Sequence, residues 1–560
     1  MGTDLDTALT SARRAGRKVA WGTVAVAAAL VGILAIAAWL RLKGMGWGLP
    51  YSYQDPDERV VLAHAFRMSQ GHLDPGFFLY PSLLFEVIGG LIRLISLGYA
   101  PHGLSLTSTA AFVTDPTPYY LIGRGVAAVC GVVSVYLVYR LGRQAYSRPV
   151  GLLAAAFVAI VPLDVRYSHQ AVTDVPATML GLLALLLFLR AAQRRDARSL
   201  LLGAVVTGLA TGTKYNLGML VVPGLVACWY VWRDEPLRRF ARALPRRVLG
   251  RLVAPMLLAY LLSTPFTLLD PRHFVADFAK QNRIVANGWL GFEHVHNGYW
   301  YNLSVNLVAS LGVVLLCLGI AGLVLALVRR RPADVMFASF AIVYYLYVSS
   351  WHELMDRYLL PIVPLLVLLA VRLCVELAGV PLVRRRLVVA AAAAALLLGA
   401  VVLPARASIT YSQSLRGTDV RSVAKAWLER HLPARAVIAE EPYGPPLVTL
   451  TDLPYYRAAR LSPPAYTVYS LPLPLPGARD PRDRLKFLQT HKVTYVVLSS
   501  EVDKRVLAAR STYPAQIAFY GILSARAQLV ARFAPRAGES GPVITVYRLP
   551  ASLRRPAHTA

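Results

Sequence analysis

Long apolar runs recur along the chain, separated by short loops rich in arginine. A helix needs about 20 mostly apolar residues to cross the hydrocarbon core of a bilayer. Eleven runs fit that pattern: 19–40, 119–139, 149–163, 171–189, 199–213, 217–232, 250–265, 303–328, 335–350, 358–377 and 387–403. Basic clusters test the count independently. Arg13, Arg14, Arg17 and Lys18 precede the first run; Arg140, Arg143 and Arg148 follow the second, and Arg190, Arg194, Arg195 and Arg198 the fourth. Arg233 to Arg251 follows the sixth, Arg329–Arg331 the eighth and Arg384–Arg386 the tenth. Every short basic loop thus falls on one side, which the positive-inside rule makes the cytoplasm. The N-terminus is expected inside and the C-terminus outside.

The apolar stretch 82–98 contains Glu86 and Arg93, and counting it as a crossing would put the later basic loops outside. Charges in a lipid-facing span are costly, so it is expected to be an interfacial or re-entrant helix on the outer side. The first run begins too late and is too long for a cleavable signal peptide. No period of 20–50 residues points to a solenoid.

Two outer segments stand out, the loop at about 41–118 and the tail at 405–560, which is long enough for a domain of its own. In the tail, 418–432 has apolar residues at helical spacing behind a Thr/Asp start. Short β-like runs follow at 436–439, 493–498 and 543–548, and 442–481 carries ten prolines, too many for a regular element. The expected architecture is an all-α polytopic membrane domain over 1–404 and an extracytoplasmic α/β domain over 405–560. The tail is basic, 22 Lys/Arg against 10 Asp/Glu, which suits lipid phosphates, an acidic polymer or simply a solvated surface.

Composition agrees with the runs. Hydrophobic residues make up 56% of the 560, charged residues 16%, and mean hydropathy is +0.49. Soluble domains carry roughly a quarter charged residues, and disorder needs low hydrophobicity, so both classes are excluded. The four cysteines each lie in an apolar run, which rules out a disulfide framework and a CxxC metal site. A net charge of +29 suggests nucleic acid at first sight. Its concentration in short loops on one side argues for membrane topology instead, and no nucleic-acid partner is expected.

Burying charge needs a reason, and the candidates fall at the outer ends of the runs. Asp57 and Glu58 follow Asp55-Pro56; one carboxylate could take a proton from an acceptor hydroxyl while the other orients it, or both could favour a helix N-terminus. Asp174, with Pro176 just inside its run, reads equally as a cap. Lys214, in Gly212-Thr213-Lys214-Tyr215-Asn216, breaks the positive-inside pattern; it either snorkels or holds an anion. Arg124 lies between glycines in the outer half of the second run, with no local partner. Arg357 begins the tenth, where Asp356 or Glu353 could be its salt-bridge partner. His64, His169 and His352 lie on the same face. Cations at that depth suit a phosphate whose lipid tail stays in the bilayer. Carboxylates suit activation of a hydroxyl. Displacement at a sugar's anomeric carbon, with a polyprenyl phosphate leaving, needs both.

At these residues the chain resembles the membrane glycosyltransferases of family 39, the group of protein O-mannosyltransferases and lipid A aminoarabinose transferases. The resemblance covers about 20–405, plus a tail of the sort many bacterial members carry. Pro56-Asp57-Glu58 matches the family's Asp-Glu motif, and Phe77-Phe78-Leu79-Tyr80-Pro81-Ser82-Leu83 looks like its second loop motif. Arg124, Asp174, Lys214-Tyr215 and Arg357-Tyr358 also have family counterparts. The resemblance implies a GT-C fold in a bacterial cytoplasmic membrane, an outward-facing cavity, a polyprenyl-phosphate monosaccharide donor and inverting transfer to a lipid, glycan or protein acceptor. It implies Asp57 as base with Glu58 in support, Arg124, Lys214 and Arg357 as binders of the donor phosphate, and Asp174, Tyr80, His169, Tyr215, His352 and Tyr358 around the substrate. The first loop lacks the Lys-Pro-Pro-Leu of aminoarabinose transferases, and the tail differs from the repeat-type luminal domain of eukaryotic mannosyltransferases.

No cofactor is expected. His352, Glu353 and Asp356 at helical spacing could ligate a divalent cation, or serve as caps and salt bridges. Competing readings are a transporter or flippase for lipid-linked sugars, a glycan polymerase or ligase using a lipid-linked oligosaccharide, and a receptor-like protein with the tail as recognition domain. A transporter would not need the Asp-Glu pair, and transporter halves often repeat one another, whereas no such symmetry is visible here.

Overall fold

The helix Val363–Ala378 opens with nine apolar residues, Val363 to Val371, that cover every side of it and are all buried. A helix hydrophobic all round belongs in a core, and others pack around this one. The computed structural model describes residues 24–51, 56–99, 105–378, 386–474, 476–536 and 538–554; Arg13, Arg14, Arg17, Lys18, Asp55, Arg384 and Arg385 lie outside them.

Six helices among the described residues are long and apolar enough to cross a membrane: Val24–Leu42, Thr117–Ala145, Asp174–Arg194, Tyr215–Trp232, Gly298–Arg329 and Pro332–Ser349. The protein is a multi-pass membrane protein. Four other expected crossings are helical but shorter, and 387–403 lies within the 29-residue helix Arg386–Ser414. Arg148–Ala159 has 12 residues, about 18 Å of helix, and gives way at Ile160–Val161 before Pro162 opens a new turn. Close crossings use glycine: a Cβ on Gly142 would meet Gly151 Cα at 2.7 Å, and one on Gly322 would meet Leu369 O at 2.3 Å. Small residues let backbones approach in this way in membrane bundles. Three of the basic loops share one end, where Arg195, Arg233 and Arg331 line a common pocket with Ala145. Above it, Asp334 accepts from Tyr146 Oη (2.7 Å) and pairs with the fully buried Arg372. Arg41 and Asp164, also buried, form a second pair. Charges this deep persist only when paired.

At the other end the loop after the first run folds back on itself. Helices Pro56–Ser69 and Leu83–Tyr99 pack as a pair around Val61, Leu62, Phe66, Phe85 and Ile88, so the stretch left out of the crossings is an amphipathic partner of the Asp57 helix. A further segment at this end, which the apolar runs do not mark, holds the helix Pro271–Asn287; its Asp277 accepts the Phe78 N–H (2.8 Å).

The helix Arg386–Ser414 runs past 404, and the tail's own elements begin at Val420–His431, capped by Asp419. Five strands follow: β1 Val437–Glu440, β2 Thr467–Ser470, β3 Tyr495–Ser499, β4 Gln528–Phe533 and β5 Ile544–Arg548. Their order is β2-β1-β3-β5-β4, with β1 parallel to β2 and β3, and β5 antiparallel to β3 and β4. Apolar clusters cover both faces. The stretch 442–481 does contain regular structure, contrary to expectation. β2 fits in the proline-free window between Pro464 and Pro472, and Leu453–Ala458 forms a short helix. The tail docks on the membrane body. Arg59 pairs with Asp452, Lys425 lies over the Tyr51 ring, and Leu290 packs with Val502, Val506 and Tyr513.

Candidate active site

Asp57 and Glu58 occupy the first turn of the helix Pro56–Ser69, and consecutive helical residues point about 100° apart. Glu58 turns inward and is fully buried. It accepts from Arg124 Nε and Nη2 (2.8 and 2.7 Å) and from the Ala171 N–H (2.8 Å). Arg124 Nη1 donates to the carbonyls of Met45 and Trp47, both at 2.8 Å, and the guanidinium lies over the Trp47 and Tyr120 rings. Four of its five N–H donors are thereby committed to the protein.

Asp57 turns the other way. It forms an ion pair with Arg357 and accepts from Tyr80 Oη (3.3 Å). Beside this pair Lys214 is buried against Asp174, the first residue of its helix, with Nζ 4.7 Å from the Tyr358 ring centroid. Tyr358 Oη donates to Glu353 (2.9 Å). Burial pulls the Lys214 ammonium down from its ordinary range, with Asp174 opposing, and pushes the Glu353 carboxyl up, with Tyr358 and Arg357 opposing. Asp57, Tyr80, Asp174, Lys214, Arg357 and Tyr358 line one small cavity of about 10 Å³, room for about one water. Two cations and two carboxylates therefore meet at one point, supplied by four separate stretches of chain. Such a cluster can bind a phosphate and take a proton at adjacent positions.

Residues 122–262 match the family model for dolichyl-phosphate-mannose-protein mannosyltransferases, a segment that holds Arg124, Asp174 and Lys214 but not Asp57 or Arg357. No curated protein matches the chain. Among solved structures, the archaeal oligosaccharyltransferase AglB from Archaeoglobus fulgidus, in complex with an inhibitory peptide and a dolichol-phosphate, superposes with a TM-score of 0.53 at 13% identity. That match covers 93% of this chain and 74% of AglB. ArnT from Cupriavidus metallidurans, bound to undecaprenyl phosphate, gives 0.50 at 13% identity over 96% of this chain and 99% of ArnT. The chain has the GT-C fold. Over its central helices it also resembles the mannosyltransferase family.

Within this GT-C body several expected site residues lie apart from the cavity. Arg124, expected on the donor phosphate, and Glu58, expected beside the base, are instead locked to each other, because neither could be buried alone. His169 does not line the cavity: it is fully buried with both ring nitrogens against backbone carbonyls, Val165 (2.8 Å) and Lys43 (3.0 Å). His352 is exposed and holds the chain through its N–H to Val285 O (2.9 Å). Tyr215 acts at one remove, donating to Phe78 O (2.9 Å) and so fixing the second loop motif. His352, Glu353 and Asp356 diverge, since Glu353 meets Tyr358 while Asp356 pairs with Arg166 and accepts from Tyr167 (2.7 Å). Among the described residues no group of three or more His, Cys, Asp or Glu side chains is placed to hold a metal. Arg166 is the residue the sequence reading missed. It lies between two apolar runs at the Asp57 end of the bundle, paired with Asp356 beside Arg357, and like Lys214 it was legible as a lone cation away from the basic clusters.

Proposed function

We propose that this protein moves a monosaccharide from a polyprenyl-phosphate donor to an acceptor hydroxyl on the extracytoplasmic side of a bacterial cytoplasmic membrane. In this reading the N-terminus is cytoplasmic, 1–404 is the transferase body and 405–560 an extracytoplasmic domain. The observation that carries it is the convergence of Asp57, Arg357 and Lys214 on one cavity at the end of the bundle opposite the basic loops. The polyprenyl phosphates present in the AglB and ArnT structures support the donor class.

The chemistry follows from the groups. Arg357 and Lys214 bind the donor phosphate, and its lipid tail stays between the helices. Asp57 takes the proton as the acceptor oxygen attacks the anomeric carbon. The bond from that carbon to the phosphate oxygen breaks with its electron pair on the phosphate, which leaves as an anion held by the two cations. A single displacement from the opposite face inverts the anomeric centre. Tyr80 orients Asp57, Asp174 holds Lys214 in place, and Glu58 with Arg124 anchors the helix that presents the base. A cavity of about 10 Å³ is too small for a sugar, so donor entry requires the Asp57–Arg357 contact to part.

The test uses purified protein in lipid with radiolabelled polyprenyl-phosphate sugars, following release of polyprenyl phosphate with and without acceptors. Release that depends on Asp57 and on an acceptor supports the reading. Tight binding without release, or transport that persists in Asp57→Asn, overturns it.

A further inference from the structure

At the end of the bundle away from Asp57, the crossing Tyr215–Trp232 is followed by a strongly basic segment. Residues 237–251 hold six arginines, Arg238, Arg239, Arg242, Arg246, Arg247 and Arg251, and no acid. All but Arg251 lie in the helix Leu237–Val248. Consecutive helical residues turn by about 100°, so Arg238, Arg242 and Arg246 form one row. The apolar positions 237, 240, 244 and 248 recur at spacings of three and four on the opposite side. The arginine row is exposed and lines an open cavity of about 620 Å³ with Pro236, Ala243 and Arg247. Of these four arginines, only Arg247 has an ion-pair partner among the described residues, Glu235 at 2.9 Å.

Such a row works against the helix in water. Like charges four residues apart repel. Pro245 removes a hydrogen bond from the helix interior, and 12 residues are too few for a helix to be stable alone. An anionic partner along the row offsets the repulsion, and the guanidinium fork suits phosphate oxygens.

The depth of the helix identifies that partner. Besides meeting Glu235, Arg247 lies over the Trp232 ring at 5.2 Å, which pins the last turn of the helix to the end of the crossing. Trp229 is 53% exposed on the final turn of that crossing, and Arg233 lies over the neighbouring Tyr230 ring at 4.9 Å. Tryptophan and tyrosine at the end of a crossing mark the headgroup level. Leu249, just past the helix, is 59% exposed before the chain continues into Ala254–Ser263. A helix with arginines on one face and apolar residues on the other lies in the plane of the interface, and clusters of about 4–8 basic residues there attract anionic lipids. A soluble acidic partner would meet the arginine row but leave the apolar positions and the headgroup depth without a use.

We propose that the helix Leu237–Val248 lies flat in the membrane interface and that Arg238, Arg242 and Arg246 hold the phosphates of anionic lipid headgroups. This surface owes nothing to sugar transfer and stands or falls apart from it. The full-length protein is placed in phosphatidylcholine nanodiscs carrying increasing amounts of phosphatidylglycerol, and hydrogen exchange is followed over residues 237–248. Protection is expected to rise with phosphatidylglycerol and to weaken in high salt. The variant Arg238→Gln/Arg242→Gln/Arg246→Gln is expected to need about tenfold or more phosphatidylglycerol for the same protection. In pure phosphatidylcholine it is expected to be the better protected of the two, because the repulsion is gone. Unchanged exchange in Asp174–Arg194 shows that the variant is folded. Removing three exposed arginines from other basic loops, in Arg143→Gln/Arg148→Gln/Arg198→Gln, is expected to leave the response of 237–248 as it is in the wild type. No response to phosphatidylglycerol, a full response in the first variant or an equal loss in the second overturns the proposal. So does protection in pure phosphatidylcholine by inorganic phosphate or by an oligonucleotide.

Discussion

Asp57 and Arg357 meet as an ion pair across 300 positions of sequence, tying the helix Pro56–Ser69 to the short turn Asp356–Leu359 that precedes the central helix. In the resting protein each satisfies the other; the proposed transfer gives them separate tasks, proton acceptance and phosphate binding. Asp57→Asn is expected to lower turnover by about 10²- to 10⁴-fold, the usual contribution of a general base, while polyprenyl phosphate binding survives. Arg357→Ala is expected to weaken that binding. A radiolabel release assay beside a direct binding measurement separates the two effects, and equal loss of binding in both variants would contradict the division of roles.

Glu58 and Arg124 behave as a structural unit. Removing one partner of a buried pair costs about 3–5 kcal/mol, whereas replacing both by apolar groups of similar size is often close to neutral. Arg124→Met and Glu58→Leu are each expected to lower thermal stability in lipid strongly, with the double variant nearer the wild type than either single one. If Arg124 instead held the donor phosphate, the double variant would lose lipid-phosphate binding while remaining folded.

The two halves of this picture were legible to different degrees. The bundle could be read from apolar runs because helix length and hydropathy are local properties, and its basic loops marked one end. β1, β3 and β5 showed as apolar strings because they lie in the middle of the sheet. β2 and β4 did not, because edge strands face solvent on one side, and Leu529 and Val530 of β4 are exposed. At the site, Asp57 stood out as one of two adjacent carboxylates, Lys214 as a cation that breaks the positive-inside pattern, and Arg357 as a charge opening an apolar run. Their pairings did not: Glu353 and Asp356, the local candidates for Arg357, turn to Tyr358 and Arg166. Nothing in Asp57-Glu58 tells which carboxylate faces the cavity, since that depends on how the helix is rotated against Arg124.

Lys214 tests the cation side without touching the base. Lys214→Met keeps most of the side chain's length but removes the charge, leaving Asp174 buried without its partner. Donor affinity is expected to fall about tenfold or more, the scale of a lost charge-assisted hydrogen bond. The double variant Lys214→Met/Asp174→Asn removes the stranded charge and is expected to recover stability but not affinity. Recovery of both would mean that Lys214 serves only to neutralise Asp174.

The tail domain carries its own pH signature. Burial pushes the Glu441 carboxyl up from 4.5 to about 7, against donors from Tyr520 Oη (2.6 Å) and the Ser499 N–H (3.1 Å) that favour the charged form. Because its folded value is raised, the folded state keeps a proton that the unfolded chain releases between these two values. Unfolding free energy changes with pH as the difference in bound protons, unfolded minus folded, which is negative here. Stability therefore falls as pH rises from about 4.5 to 7 and levels off above, by about 3 kcal/mol in all if Glu441 acts alone. Hydrogen-exchange protection of β1 and β3, measured in the full-length protein from pH 5 to 8, checks the slope. Glu441→Gln, which holds no titrating proton, is expected to flatten it. A slope of the same size in that variant would place its origin at another group.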